Sequence, residues 1–198
     1  MIKLYIADVS RLDIKKALGA VSDYRRNKAL RCPDEGKMRC CLGVELLLHR
    51  ALGVTEPLDY SLDANGKPYF ENGSVFFSLS HSGNYAVCAV SDCEVGVDIE
   101  QPRRNSLKLA KRFFTEGEYE LIAESADPDE QFCRIWVIKE SYIKATGSGF
   151  KTPLESFTAA DRIGEYSTAH FKLHGCHIAV CAKCESIGDV ELYDEEII

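Results

Sequence analysis

Basic residues are the minority charge in this chain: 24 Lys and Arg stand against 31 Asp and Glu, a formal charge of −7. A protein that binds nucleic acid generally needs a basic face, so this balance argues against that class. Net charge does not describe a site, however, and an acidic protein can hold phosphate in a local basic pocket. Long apolar runs are also missing, and none approaches the length of a membrane span. The N-terminus, Met1-Ile2-Lys3-Leu4-Tyr5-Ile6-Ala7-Asp8, is too short and too charged for a signal peptide. Cysteine is not scarce. The nine, at 32, 40, 41, 88, 93, 133, 176, 181 and 184, are odd in number, and several sit in apolar runs such as Ala86-Val87-Cys88-Ala89-Val90. Cysteine used as a small buried hydrophobe fits a reducing compartment better than a disulfide framework, so the expected location is the cytoplasm.

The 198 residues suit one large domain or two small ones packed together. Residues 2–8 read as a strand, followed by a helix from Ser10 to about Leu30. A second helix over 37–52 ends at Gly53. Asp63-Ala64-Asn65-Gly66 is a turn, and strands are expected at 74–79, 85–91 and 94–100. Beyond residue 100, Thr115-Glu116-Gly117-Glu118 is a capping box. A longer helix covers 129–146 and ends at Gly147. Strands are expected near 154–159, 167–173, 177–183 and 188–193.

A repeat runs through this order. Ala86-Val87-Cys88-Ala89 recurs as Ala179-Val180-Cys181-Ala182, 93 residues later, and His81 and His174 share that offset. The helix end Arg50-Ala51-Leu52-Gly53 matches Lys144-Ala145-Thr146-Gly147 at an offset of 94. These matches predict a tandem duplication: an α+β pseudodimer, residues 1–100 and 101–198, with one cleft between the halves.

Several short motifs carry chemistry. In Gly96-Val97-Asp98-Ile99-Glu100 the alternation of a strand puts Asp98 and Glu100 on one side, with Val97 and Ile99 on the other. Two adjacent carboxylates repel and favour a hard cation between them. An isolated pair of this kind is more often a solvated strand end. On a helix, Trp136, Glu140 and Lys144 are spaced by four and share a face. Glu140 and Lys144 also fit a surface ion pair, but Trp136 draws that face toward buried surface. Phe77-Ser78-Leu79-Ser80-His81-Ser82-Gly83 ends an apolar strand in phosphate donors or in a polar hairpin turn. Asn65-Gly66-Lys67-Pro68 alone is a turn with a lysine. Arg25, Arg26, Lys28, Arg31, Lys37 and Arg39 form a basic stretch, most of it readable as solvated helix surface.

Order and spacing discriminate where single motifs do not. Gly-Lys-Pro, then Ser-Leu-Ser-His-Ser, then Gly-Val-Asp-Ile-Glu, then Trp-x-x-Lys-Glu-Ser-x-x-Lys resembles the surfactin-type 4′-phosphopantetheinyl transferases. Glu140 follows Asp98 by 42 residues, within that family's interval. Phe113-Phe114-Thr115 and Gly147-x-Gly149 also match. The likeness covers residues 60–198 and is looser before them.

The resemblance implies the phosphopantetheinyl transferase fold, with the active site in the cleft of a pseudodimer. It implies transfer of the 4′-phosphopantetheine arm of coenzyme A to a serine of an apo acyl or peptidyl carrier protein, leaving adenosine 3′,5′-bisphosphate. Asp98, Glu100 and Glu140 would hold magnesium, or manganese, against the coenzyme A diphosphate. Lys144 would neutralise that diphosphate, and Ser80, His81 and Arg39 would hold the 3′-phosphate. Gly66, Lys67 and Pro68 would flank the adenine, and Glu140 would serve as base. Glu118, at N3 of the capping box, is left out as structural.

A monomer is expected, since one chain supplies both halves of the cleft. Neither nucleic acid nor membrane is an expected partner. Lys108, Lys111, Arg112, Phe113 and Phe114 form a patch that suits an acidic helical carrier, or an ordinary amphipathic helix. A magnesium-dependent hydrolase of the coenzyme A diphosphate and an inactive coenzyme A-binding module are the alternatives. Cys181-Ala182-Lys183-Cys184 has zinc-like spacing, but in a strand its two thiols would point to opposite faces, so buried structural cysteines are expected.

Overall fold

The computed structural model describes residues 1–73 and 75–197 of the chain. In order these form β1 (Ile2–Asp8), α1 (Ile14–Ala20), α2 (Asp23–Ala29), α3 (Glu35–Leu52), β2 (Ser61–Leu62), β3 (Pro68–Tyr69), β4 (Phe76–Ser82), β5 (Tyr85–Ser91) and β6 (Val95–Glu100). There follow α4 (Leu107–Phe113), α5 (Glu116–Ala123), α6 (Pro128–Thr146), β7 (Arg162–Ile163), β8 (Tyr166–Leu173), β9 (Cys176–Ala182) and β10 (Val190–Glu196). The mixed α+β class expected from the sequence is what the chain adopts.

Two elements differ from expectation. The helix expected from Ser10 to Leu30 is two short helices. Val21 turns extended, and the Ser22 hydroxyl caps α2 by accepting from Arg25 N. The strand expected at 154–159 begins instead with a single 3₁₀ turn at Leu154–Ser156. Its carbonyls serve a buried cation: Lys139 Nζ donates to Leu154 O and Phe157 O.

Alternation along the strands sorts the core. Ile2, Leu4 and Ile6 of β1, Val87 and Ala89 of β5, Val95, Val97 and Ile99 of β6, and Ile178, Val180 and Ala182 of β9 share one buried cluster. The opposite face of β1 and β5 packs on α1–α3 through Ala7, Ala86, Cys88, Leu47 and Leu48. The opposite face of β9 meets α6 through Ala179 and Cys181. Cys184 lies in the bend beyond the end of β9 and packs instead against the cluster that β1, β5, β6 and β9 share, so Cys181 and Cys184 lie on opposite sides.

One four-stranded sheet has the order β10-β1-β5-β4 and the other β6-β9-β8-β7. In each, a first strand and the first strand of a following hairpin flank that hairpin's second strand, all antiparallel. The helices α3 and α6 occupy the same place in the two connections, and both end on a left-handed glycine, Gly53 and Gly147. The strands do not divide at residue 100. β6 lies before that point yet pairs with β9, while β10 returns to pair parallel with β1. His81 and His174 are not equivalent either: His81 is in β4, whereas His174 (φ 51°) is in the turn between β8 and β9.

The sheets meet at β4 and β6, joined by serine hydroxyls. Ser78 Oγ accepts from Val97 N (3.0 Å), Ser80 Oγ donates to Asp98 (2.7 Å), and Ser82 Oγ donates to Glu100 (2.8 Å). The helix α6 then seats on β6 at Gly96, where a Cβ would lie 2.0 Å from Ser141 O and 2.3 Å from Ala145 N. Both obstacles are backbone. Gly96→Ala should therefore displace α6 and lower stability by about 1–3 kcal/mol or more, read from urea unfolding. An unchanged midpoint would refute this close approach.

On the face of the second sheet that α6 covers, near the start of that helix, His170 Nε2 and His177 Nδ1 share a hydrogen bond (2.9 Å), and His177 Nε2 meets Glu130 (2.7 Å), which also pairs with Lys172. Burial, with the charges of His177, Arg134 and Lys172, pushes His170 down to about 4. In the unfolded chain a histidine titrates near ~6.5, so the unfolded state takes up this proton first as pH falls. Neutral His170 thus contributes stability that is full above ~6.5 and is lost as pH falls toward about 4. The melting temperature should drop across that window, and His170→Gln should flatten the drop.

Candidate active site

A cavity of about 550 Å³ opens where β4, β6, α2, α6 and the β2–β3 hairpin converge. Among the residues expected at a site, Gly66, Lys67, Pro68, Ser80, His81, Asp98, Glu100, Glu140 and Lys144 line it, as does Trp136.

Asp98 lies at its floor, only 5% exposed. Its Oδ1 accepts from Ser80 Oγ (2.7 Å) and Lys144 Nζ (2.6 Å), and Lys144 Nζ also reaches Ser80 Oγ (2.8 Å). Asp98 Oδ2 is buried with no hydrogen-bond partner. Burial pushes the Asp98 carboxyl up, and Lys144 and Ser80 only partly offset it. Glu140, one helical turn before Lys144, is also pushed up, first by burial and then by the charge of Asp98. Glu100 accepts from Ser82 Oγ and from Arg103 Nη2 (2.7 and 2.8 Å).

The donor set suits a hard cation: three carboxylates on one wall, one with an orphaned buried oxygen, and two with elevated proton affinity through burial and mutual repulsion. Among the described residues no group of three or more acids, histidines or cysteines stands ready-arranged around a metal. Lys144 and Arg103 occupy carboxylate oxygens instead. The acids therefore fit an ion, provided these two cations yield to it.

The hairpin wall is held by the end of α6. Asn65 Nδ2 donates to Gly147 O (2.7 Å), and Lys67 Nζ donates to Ala145 O (2.6 Å). Lys67 thus lines the cavity with its stem while its ammonium ties the hairpin down, and desolvation lowers its pKa. At Gly147 (φ 65°) a Cβ would sit 3.1 Å from Asp63 and 3.3 Å from Lys67, so the glycine serves both the left-handed cap and this tight junction.

Arg39 is not among the residues lining the cavity. Its Nη2 pairs with Glu35 (2.9 Å) and its Nε donates to Leu12 O (3.2 Å), so it fastens α3 to the loop after β1. Arg25 and Lys28 of α2 do line the cavity. They belong to the basic stretch read as solvated surface. Only the break at Val21-Ser22, which turns α2 toward the cavity, separates them from that reading. His81 stands at the rim, its pKa lowered by partial desolvation and by Lys144, Lys28 and Arg25. Positive charge therefore gathers at the end of the cavity facing α2. Glu118 is structural: it closes the capping box and pairs with buried Lys139 (2.7 Å).

With this geometry in place, the chain can be set beside known proteins. The family model of the 4′-phosphopantetheinyl transferase superfamily matches residues 94–191. A 4′-phosphopantetheinyl transferase of Bacillus subtilis is 34% identical over 152 residues, 72% of this chain and 67% of that protein. The 4′-phosphopantetheinyl transferase Sfp of Bacillus subtilis strain 168 is 34% identical over 161 residues, 76% of this chain and 70% of the relative. The 4′-phosphopantetheinyl transferase psf-1 of Bacillus pumilus is 40% identical over 129 residues, 64% of this chain but only 54% of the relative. The chain belongs to the 4′-phosphopantetheinyl transferase superfamily, as its motifs led one to expect.

The donor set is testable without turnover. Mn²⁺ titrated into the protein and followed by electron paramagnetic resonance should bind in the wild type and not in Asp98→Asn. Ser80→Ala, which removes a hydrogen bond to that carboxylate, should weaken binding by about 10–100-fold. Equal binding by all three would place the ion elsewhere.

Proposed function

We propose that this protein transfers the 4′-phosphopantetheine arm of coenzyme A to a serine hydroxyl of an apo acyl or peptidyl carrier protein, giving the holo carrier and adenosine 3′,5′-bisphosphate. The observation that carries this reading is the convergence of Asp98, Glu140 and Lys144 on one cavity whose far end holds Arg25, Lys28 and His81. An elongated ligand with a diphosphate at its middle and a phosphomonoester at one end matches that charge pattern.

The carrier serine oxygen attacks the β-phosphorus, and the bond from that phosphorus to the bridging oxygen breaks. Lys144 sits where charge on the transferring group would be stabilised. Glu140, with its raised proton affinity, takes the serine proton directly or through a water. Asp98, Glu100 and Glu140 are the acids that would hold magnesium, which would supply positive charge to neutralise the diphosphate. Ser80 keeps Asp98 in place rather than presenting a free hydroxyl. Gly66 and Pro68 supply the hairpin wall against which the adenine would lie.

The exposed face of α4 suits the protein partner. Lys108, Lys111 and Arg112 surround Leu107 (36% exposed) and Leu109 (42%), a basic and apolar surface for an acidic helical carrier. Phe114 is not part of that patch, since it is buried against Phe132 and Trp136. The nine cysteines are free, which suits action in the cytoplasm. No helix among the described residues is long and apolar enough to cross a membrane.

The strand–helix–hairpin order common to both sheets supports an internal duplication acting as a monomer. Its units would begin at β1 and β6, moving the boundary a few residues before 100.

Intact-mass spectrometry of an apo carrier incubated with coenzyme A and magnesium tests the reaction. One phosphopantetheine should be added to the carrier, and Glu140→Gln should slow the addition at least 100-fold, roughly the contribution of a general base. Coenzyme A cleavage without carrier modification would instead make the protein a hydrolase.

A further inference from the structure

Beneath the cavity lies a buried ionic network that the reaction as described does not use. Glu45 of α3 has no exposed side-chain surface, yet it carries a carboxylate. Its Oε1 accepts from Ser22 N (2.5 Å). Its Oε2 accepts from Ser22 Oγ (2.9 Å), Tyr60 OH (2.6 Å) and Arg25 Nε (3.3 Å). Burial pushes the Tyr60 hydroxyl up to about 12, so it stays a donor. An apolar side chain could fill the same space without the desolvation penalty of a charge. A carboxylate at this place therefore calls for a role beyond packing.

The partners indicate that role. Ser22 is the cap of α2, and its hydroxyl also accepts from Arg25 N (3.2 Å). Arg25 is itself only 5% exposed and engages Glu45 through Nε, at the inner edge of its guanidinium, while the residue lines the cavity. Tyr60 precedes β2, so the same carboxylate grips the chain that leads into the hairpin wall. Burial disfavours the charge on the Arg25 guanidinium unless a counter-charge lies beside it. Glu45 supplies that charge from the side away from the cavity.

We infer that Glu45 is a positioning residue. It fixes Arg25 at the α2 end of the cavity, and through Arg25 it selects ligands that carry a phosphomonoester there. The inference rests on the coenzyme A reading above and adds to it the source of discrimination between coenzyme A and its 3′-dephospho form.

Steady-state transfer to a carrier should be measured with coenzyme A and with 3′-dephospho-coenzyme A. Glu45→Gln keeps the size and loses the charge. It should raise KM for coenzyme A by about tenfold, the scale of one charge-assisted contact, with the loss falling on KM rather than kcat. KM for the dephospho form should stay within about twofold, less than that scale. Arg25→Met should give the same selective rise, and the double variant should add nothing further, since the two act through one contact. Calorimetric binding of adenosine 3′,5′-bisphosphate against 5′-AMP gives the same comparison without turnover. If Glu45→Gln is too unstable to assay, Glu45→Asp, which keeps the charge but withdraws it, should show the selective rise. Equal losses on both coenzyme forms, or an additive double variant, would reduce Glu45 to a structural group and overturn the inference. Absence of transfer by the wild type would instead remove the coenzyme A reading itself.

Discussion

The contact on which the rest of this structure depends is the buried three-way meeting of Ser80, Asp98 and Lys144. Each comes from a different element: β4 of one sheet, β6 of the other, and the helix that crosses β6. A carboxylate that is 5% exposed is tolerated only where donors meet it, and here each donor also locks two elements together. Ser78 and Ser82 repeat the device on either side, so the two sheets are joined by hydroxyls rather than by a backbone ladder. Such a seam leaves the carboxylate oxygens near the surface of a cavity, which a continuous ladder between apolar strands would not do.

Gly96 makes this seam usable. With no Cβ there, α6 approaches β6 closely enough for Lys144 to reach Asp98 at 2.6 Å. The same helix ends at Gly147, where it takes the hairpin as a second wall. Its middle is anchored by Lys139, whose ammonium is wholly buried and paired with Glu118. The Lys-Glu-Ser run thus divides its labour by helical phase: Lys139 faces inward to α5, Glu140 faces the cavity, and Ser141 turns back on Ile138 O.

The electrostatics are divided as well. The acids gather on β6 and the middle of α6, while Arg25 and Lys28 come from α2, so a chain of net charge −7 presents a local basic end to the cavity. Both buried acids in question, Asp98 and Glu45, have cations beside them. They differ in one respect: every oxygen of Glu45 is taken up by donors, whereas one oxygen of Asp98 is not. That difference separates a group committed to positioning its neighbours from one with a coordination position to offer.

Local patterns alone were enough to place the strands β1, β5, β6, β8 and β9, the capping box, the long helices α3 and α6, and the shared face of Asp98 and Glu100. Each of these follows from alternation, helical spacing or a cap within a few neighbouring residues. The order of the motifs likewise identified the family. The rest depended on contacts between segments distant in the chain. The basic stretch looked uniform, and only the tertiary structure separated Arg25 and Lys28, which face the cavity, from Arg39, which is tied to Glu35 and Leu12 O. Lys67 was expected beside the adenine and Ser80 at the 3′-phosphate; which atoms their side chains meet in the fold, Ala145 O and Asp98 across 78 and 18 residues, was not legible. A sequence states which groups are available; which of them remain unclaimed after folding is decided by what packs beside them.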